Sequence, residues 1–213
     1  MSPASVAPRK RVVIFISGGG SNMETLIRAA QAPDYPAEIV AVFSDKHDAG
    51  GLAKAQAAGI TTYVHARKDY SSKQAHEDAI LEQLAQIAPD IICLAGYMRL
   101  LSGRFIAPFA GRILNIHPSL LPLFPGLHTH QRALEAGMKL AGCTVHLVTE
   151  GMDEGPILAQ GAVAVHNDDT ADSLAARVLI AEHQLYPQAL RHFAAGTAPE
   201  KHDNLATQVL ISV

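Results

Sequence analysis

Asn115 and His117 occupy alternate positions in the run Asn115-Ile116-His117-Pro118-Ser119-Leu120-Leu121-Pro122, and alternation along a strand puts both on one face. Pro118 halts that strand, so the two side chains should stand at its carboxyl end, where open α/β sheets bind ligands. An asparagine amide donates to an oxyanion, and a histidine exchanges a proton or, as imidazolium, stabilises negative charge. Together they suit acyl transfer. Asp153 is the third candidate: the glycines and proline of Thr149-Glu150-Gly151-Met152-Asp153-Glu154-Gly155-Pro156 hold a turn from which a carboxylate can orient the imidazole. Taken singly, each of these residues also fits a purely structural role as a satisfied polar group or a turn cap. His117, His128 and His130 match no zinc framework, and Ser119 follows a proline outside any GxSxG elbow, so neither a metal site nor a serine hydrolase is expected.

A second chemical feature is Ser17-Gly18-Gly19-Gly20-Ser21-Asn22, which ends an apolar strand and opens a helix. Backbone N–H groups of such a turn can approach an anion, and the helix N-terminus adds further donors. The loop lacks the third glycine of a dinucleotide fingerprint and the GKS or GKT of a P-loop, so it reads as a phosphate cradle or as a plain tight turn.

The elements that must position these groups alternate between apolar β-branched runs and segments of helical period. Strands are expected at Arg11 to Ser17, Glu38 to Ser44, Thr61 to His65 and Ile91 to Tyr97, with helices at Asn22 to Gln31, Ala49 to Ala58 and Ser71 to Ile87. Strands apolar on both faces predict a doubly wound, mostly parallel α/β sheet covered by helices on each side. After Tyr97 the pattern predicts a short helix at Ser102 to Phe109, a strand at Ile113 to His117 and a helix near Thr129 to Ala136. Two antiparallel strands follow, about Ala141 to Thr149 and Pro156 to Val165, and then a final amphipathic helix over 170–195 with Thr170 as N-cap.

The 213 residues predict one domain over 11–195, with loose tails at 1–10 and 196–213. A 48% hydrophobic and 17% charged composition supports a packed core, and a net charge of -3 gives no general attraction for nucleic acid or anionic membrane. Cys93 and Cys143 sit in apolar runs without CxxC spacing and read as reduced core thiols, which points to the cytoplasm. Neither a signal peptide nor a membrane-spanning run is expected.

In order and spacing, the glycine loop from Ile16 to Asn22, Leu94 to Leu101, Leu114 to Pro122, Phe124-Pro125-Gly126-Leu127-His128-Thr129-His130 and the Asp153-Glu154-Gly155-Pro156 turn resemble the folate-dependent phosphoribosylglycinamide formyltransferases. The similarity covers roughly residues 11–190. It implies a Rossmann-like formyltransferase fold and 10-formyltetrahydrofolate as co-substrate without a metal. Its other implied partner is glycinamide ribonucleotide, with no nucleic acid or membrane partner, in a monomer or homodimer. It further implies that Gly20, Ser21 and Asn22 hold the ribose phosphate and that Glu182 contacts the ribonucleotide. Met98, Arg99, Leu100 and Leu101 would line the folate pocket with Asn115, Thr149, Glu150, Gly151, Met152 and Asp153. Lys73 stands where the family more often shows an arginine near the folate tail, which keeps the charge but loses the bidentate fork. Gly19 stands where an asparagine is expected, so backbone cradling survives and one side-chain contact is lost.

Formyltetrahydrofolate hydrolases and methionyl-tRNA formyltransferase share the residues around Asn115, His117 and Asp153. With one domain expected over 11–195, the extra N-terminal or C-terminal domain usual in those enzymes is not expected. A Rossmann-type oxidoreductase using Gly18 to Gly20 with Asp45 as ribose ligand, or a non-catalytic binding module, accounts for neither the 114–130 segment nor the Asp153 turn.

Overall fold

The computed structural model describes residues 8–197 and 210–212. Its strands are β1 (Lys10–Ile16), β2 (Ala37–Ser44), β3 (Thr61–Val64), β4 (Ile91–Leu94), β5 (Ile113–His117), β6 (Leu140–Leu147), β7 (Ile157–Ala164) and β8 (Leu210–Ser212). They form one sheet in the order β3-β2-β1-β4-β5-β6-β7-β8, parallel from β3 to β5, antiparallel at β5–β6 and β6–β7, and parallel again at β7–β8. The doubly wound expectation is met.

Its helices are α1 (Ser21–Ala30), α2 (Gly50–Ala57), α3 (Lys73–Ile87), α4 (Gly103–Ile106), α5 (Thr129–Glu135) and α6 (Ala171–Ala194). Two apolar layers sandwich the sheet because alternate residues of each central strand face opposite ways. Val12, Ile14 and Ile16 of β1 pack with Met23 and Leu26 of α1 and with Val178, Leu185 and Tyr186 of α6. Val13 and Phe15 pack instead with Ile80 and Leu84 of α3 and Phe105 of α4. α6 starts at Thr170, whose hydroxyl accepts from Ser173 N while the Ser173 hydroxyl accepts from Thr170 N, a reciprocal cap. Cys93 and Cys143 are free and buried, and burial pushes both thiols up to about 12, which leaves them inert.

Several boundaries move. β4 stops at Leu94 rather than Tyr97, because Gly96 takes φ 75° and the chain turns out of the strand toward α4. α3 begins at Lys73, capped by the Ser72 hydroxyl, and a 3-10 turn at Arg67–Asp69 precedes it. The expected N-terminal tail of 1–10 overlaps the sheet: Lys10 opens β1 opposite Ala37, and the Arg9 side chain donates to the Ala37 carbonyl. Residues 1–7 lie outside the described residues. Of the expected C-terminal tail at 196–213, residues 198–209 and 213 also lie outside them, while 210–212 form β8 beside β7.

The order β2-β1-β4 places a topological switch between β1 and β4, where successive connections leave the sheet in opposite directions. The glycine loop follows β1 and the 95–101 segment follows β4, so both border the crevice that this switch opens.

Candidate active site

A cavity of about 580 Å³ fills that crevice. β5 ends in it. Asn115 and His117 both line the cavity, His117 buried and Asn115 partly so, as alternation from one strand face requires. Antiparallel pairing with β6 sets Asn115 directly opposite His146. The ring Nδ1 of His146 donates to the Leu147 carbonyl at 3.0 Å, which leaves Nε2 of the neutral ring as an acceptor, and the Asn115 amide nitrogen lies 3.1 Å from it. Burial pulls this imidazole below the ordinary histidine value, more than the Leu147 carbonyl and the Asp153 charge raise it. A neutral His146 therefore takes one amide hydrogen of Asn115 and leaves the other free.

Asp153 sits at φ 54° in the turn after β6, a left-handed conformation uncommon for a non-glycine residue. Its Oδ2 accepts from Gly126 N at 2.9 Å and lies 3.3 Å from His117 Nδ1, while Oδ1 lies 3.7 Å from His146 Nε2. His117 Nε2 lies 3.0 Å from the carbonyl of Phe124, itself at φ 54°. Both ring nitrogens of His117 thus face acceptor oxygens, and an imidazolium donates to both. The expected trio of Asn115, His117 and Asp153 is brought together, with His146 as a fourth member.

Asn22 and Glu182 line the same cavity from α1 and α6. The Asn22 amide donates to Glu182 Oε2 at 2.6 Å, and burial pushes the Glu182 carboxyl above its usual range against the lowering effect of that hydrogen bond. Asn22 Oδ1 is buried without a partner among the described residues. Gly20 and Ser21 do not border the main cavity; both are half-buried beside it, with Gly20 at φ 71° capping α1 and Ser21 opening it. The loop rests on α2: Gly51 N donates to the Gly18 carbonyl at 3.0 Å, and a Cβ on Gly51 would lie 2.6 Å from Ile16 Cδ1 and 3.2 Å from the Gly18 oxygen. A side chain at 51 would therefore press on the Ile16 side chain and on the backbone of the loop.

Met98, Arg99, Leu100, Leu101, Thr149, Glu150, Gly151 and Met152 all line the cavity, with Met98, Leu100, Leu127 and Met152 forming exposed apolar lips. Lys73 does not reach it. It lines an adjoining cavity of about 440 Å³ with Arg67, His76, Glu77 and the shared residues 97–101. His128 and His130 border the main cavity, yet among the described residues no group of His, Cys, Asp or Glu side chains is arranged to hold a metal ion. Asp45, the ribose ligand of the oxidoreductase alternative, is buried and paired with Arg99, so it cannot serve that role. Sequence reading missed His146 and Gly51. The available signals were a lone histidine in the apolar run of β6 and a second glycine pair at Gly50-Gly51.

Residues 10–190 match the model of the formyl transferase family. The chain is 43% identical over 195 residues to the phosphoribosylglycinamide formyltransferase of Escherichia coli, covering 92% of each. It is 48% identical over 193 residues to the trifunctional purine biosynthetic protein adenosine-3 of Bos taurus, covering 90% of this chain and 19% of that protein. The chain thus spans about a fifth of that longer relative. The crystal structure of phosphoribosylglycinamide formyltransferase from Brucella melitensis superposes with a TM-score of 0.85 at 79% identity, covering 90% of this chain and 99% of that one.

Proposed function

The chain belongs to the formyl transferase family, and from that membership we propose that it moves the formyl group of 10-formyltetrahydrofolate onto the amine of glycinamide ribonucleotide in purine synthesis. The observation that carries this reading is one cavity lined by Asn22 and Glu182 beside the anion-suited glycine loop, by the Asn115, His117, His146 and Asp153 cluster, and by exposed apolar lips. The loop side and the lips each suit one reactant.

The neutral amine attacks the formyl carbon, and a C–N bond forms as the carbonyl π pair moves to oxygen. The free amide hydrogen of Asn115 and the imidazolium of His117 stabilise that oxyanion. Asp153 holds His117 in orientation, and His146 holds Asn115. As the tetrahedral centre collapses, the bond to folate N10 breaks, and the proton released by the attacking amine is delivered to N10 through water. No covalent enzyme intermediate is required, because holding both reactants in one cavity supplies much of the rate. Gly20, Ser21 and Asn22 hold the ribose phosphate and Glu182 contacts the ribonucleotide, while residues 98–101 and 149–153 and, from the adjoining cavity, Lys73 bind the folate. The reaction takes place in the cytoplasm and involves neither nucleic acid nor a membrane, in a monomer or homodimer. Among the described residues no helix is long and apolar enough to cross a membrane.

Purified protein with 10-formyltetrahydrofolate, with and without the ribonucleotide, tests this reading spectroscopically. Turnover that requires the ribonucleotide is expected. Deformylation in its absence would move the assignment to a hydrolase.

A further inference from the structure

Asp45 is a buried carboxylate that the transfer chemistry leaves unused. It directly follows β2, its side chain has no exposed surface, and its backbone carbonyl accepts from Arg67 N at 3.1 Å. Oδ2 accepts the Nε–H of Arg99 at 2.7 Å, while Oδ1 is buried with no partner among the described residues. As a stabilising device this is a poor arrangement, because desolvating a carboxylate offsets most of the Coulomb gain unless its remaining lone pairs are also satisfied. What the pair does accomplish is geometric.

Arg99 is 45% exposed and lines both the main cavity and the adjoining one. Because Asp45 engages Nε, the guanidinium plane is pinned from one side, and the N–H groups of both terminal nitrogens are left for another acceptor. The segment that carries Arg99 is tied at two more points, Met98 N to Ser17 Oγ at 2.8 Å and Ser102 N to Glu77 Oε1 at 2.9 Å. The adjoining cavity adds the cations Arg67 and Lys73 and one carboxylate, Glu77, 3.8 Å from Lys73, so with Arg99 the cations outnumber it and an acceptor at this seam would be acidic.

From these contacts we infer that Asp45 is a positioning residue for the co-substrate: it holds Arg99 at the seam of the two cavities so that its terminal nitrogens meet the carboxylate-bearing part of the folate. This rests on the formyl-transfer reading. Asp45 touches no reacting atom, so its removal acts on folate affinity and leaves the chemical step alone.

The test is steady-state kinetics of Asp45→Ala, Asp45→Asn, Arg99→Ala and the Asp45→Ala/Arg99→Ala double variant. Each is run with 10-formyltetrahydrofolate and with 10-formyltetrahydropteroate, which lacks the glutamate. Asp45→Ala is expected to raise the KM for the folate roughly tenfold while kcat and the ribonucleotide KM stay within about twofold. With the pteroate the effect should shrink to below about twofold, and the double variant should be no worse than Arg99→Ala, since the two side chains act as one unit. Asp45→Asn keeps the shape and an acceptor for Nε, so it should fall between wild type and alanine, and it carries the test if the alanine variant fails to fold. Equal losses with both donors, or a fall in kcat at unchanged KM, would overturn the positioning role. Wild-type turnover beside an unaffected Asp45→Ala variant would overturn it too. A wild-type protein inert with both donors would overturn the functional reading itself.

Discussion

The cavity and the glycine loop beside it are built on opposite principles. At the β5 end the groups on offer are side chains: Asn115, His117, His146 and Asp153 are each held by at least one neighbour of the same cluster, mostly out of water. Beside it, after β1, the groups on offer are backbone: Gly18, Gly19 and Gly20 have no side chains, and Gly51 packs against their turn. A side-chain network can aim hydrogens at charge that appears only in the transition state, whereas a backbone cradle suits a phosphate whose charge does not change during the reaction. Damage to the first should therefore appear in kcat and damage to the second in KM.

The largest effect should come from Asn115→Ala or His117→Ala, each lowering kcat by about 10²- to 10³-fold with the ribonucleotide KM little changed. Steady-state kinetics beside thermal melts check this, and a matching collapse of stability in both variants would reduce the cluster to a structural role. His146→Leu should cost about tenfold in kcat, because the Asn115 amide loses the acceptor that orients it. If kcat were unchanged, the pairing across β5 and β6 would be incidental to the reaction. At the glycine loop, Gly51→Ala should raise the ribonucleotide KM about tenfold with kcat held, as the new methyl pushes against Ile16 and the Gly18 carbonyl. An unchanged KM there would break the comparison.

The smallest effect concerns Glu182, where the two meet. Its carboxyl is raised above the unfolded value by burial, so the folded state holds its proton more tightly. That contribution to stability is fully present below about pH 4.5 and is lost as pH rises through the folded value. Glu182→Gln, which keeps an acceptor for Asn22, should melt higher than wild type at neutral pH, and the gap should close on acidification. Melting curves between pH 4 and 8, as a range about the ordinary carboxylate value, read this directly. A gap that widens toward low pH would reverse the sign of the argument.

Much of this was legible in the residues. Apolar β-branched runs located every strand from β1 to β7, and the alternation of Asn115 and His117 placed both on the cavity face of β5. The overlong reading of β4 has a plain cause: Leu94-Ala95-Gly96-Tyr97 remains apolar past the point where Gly96 turns the chain, and hydropathy does not record φ. The same segment then becomes a wall of the cavity, fastened by Ser17, Asp45 and Glu77 from three separate elements.

By itself the amino-acid sequence determined the order of elements, the faces of the strands and the candidate trio of Asn115, His117 and Asp153, because hydrophobic period and turn chemistry are local properties of the chain. Only the tertiary structure decided which groups meet. His146 opposes Asn115 through the β5–β6 register, Gly51 supports a loop some thirty residues earlier in the chain, and Asp45 after β2 reaches Arg99 after β4 across the end of β1. Periodicity tells a side chain which way to face. What it faces depends on register and crossover, which the whole sheet sets at once.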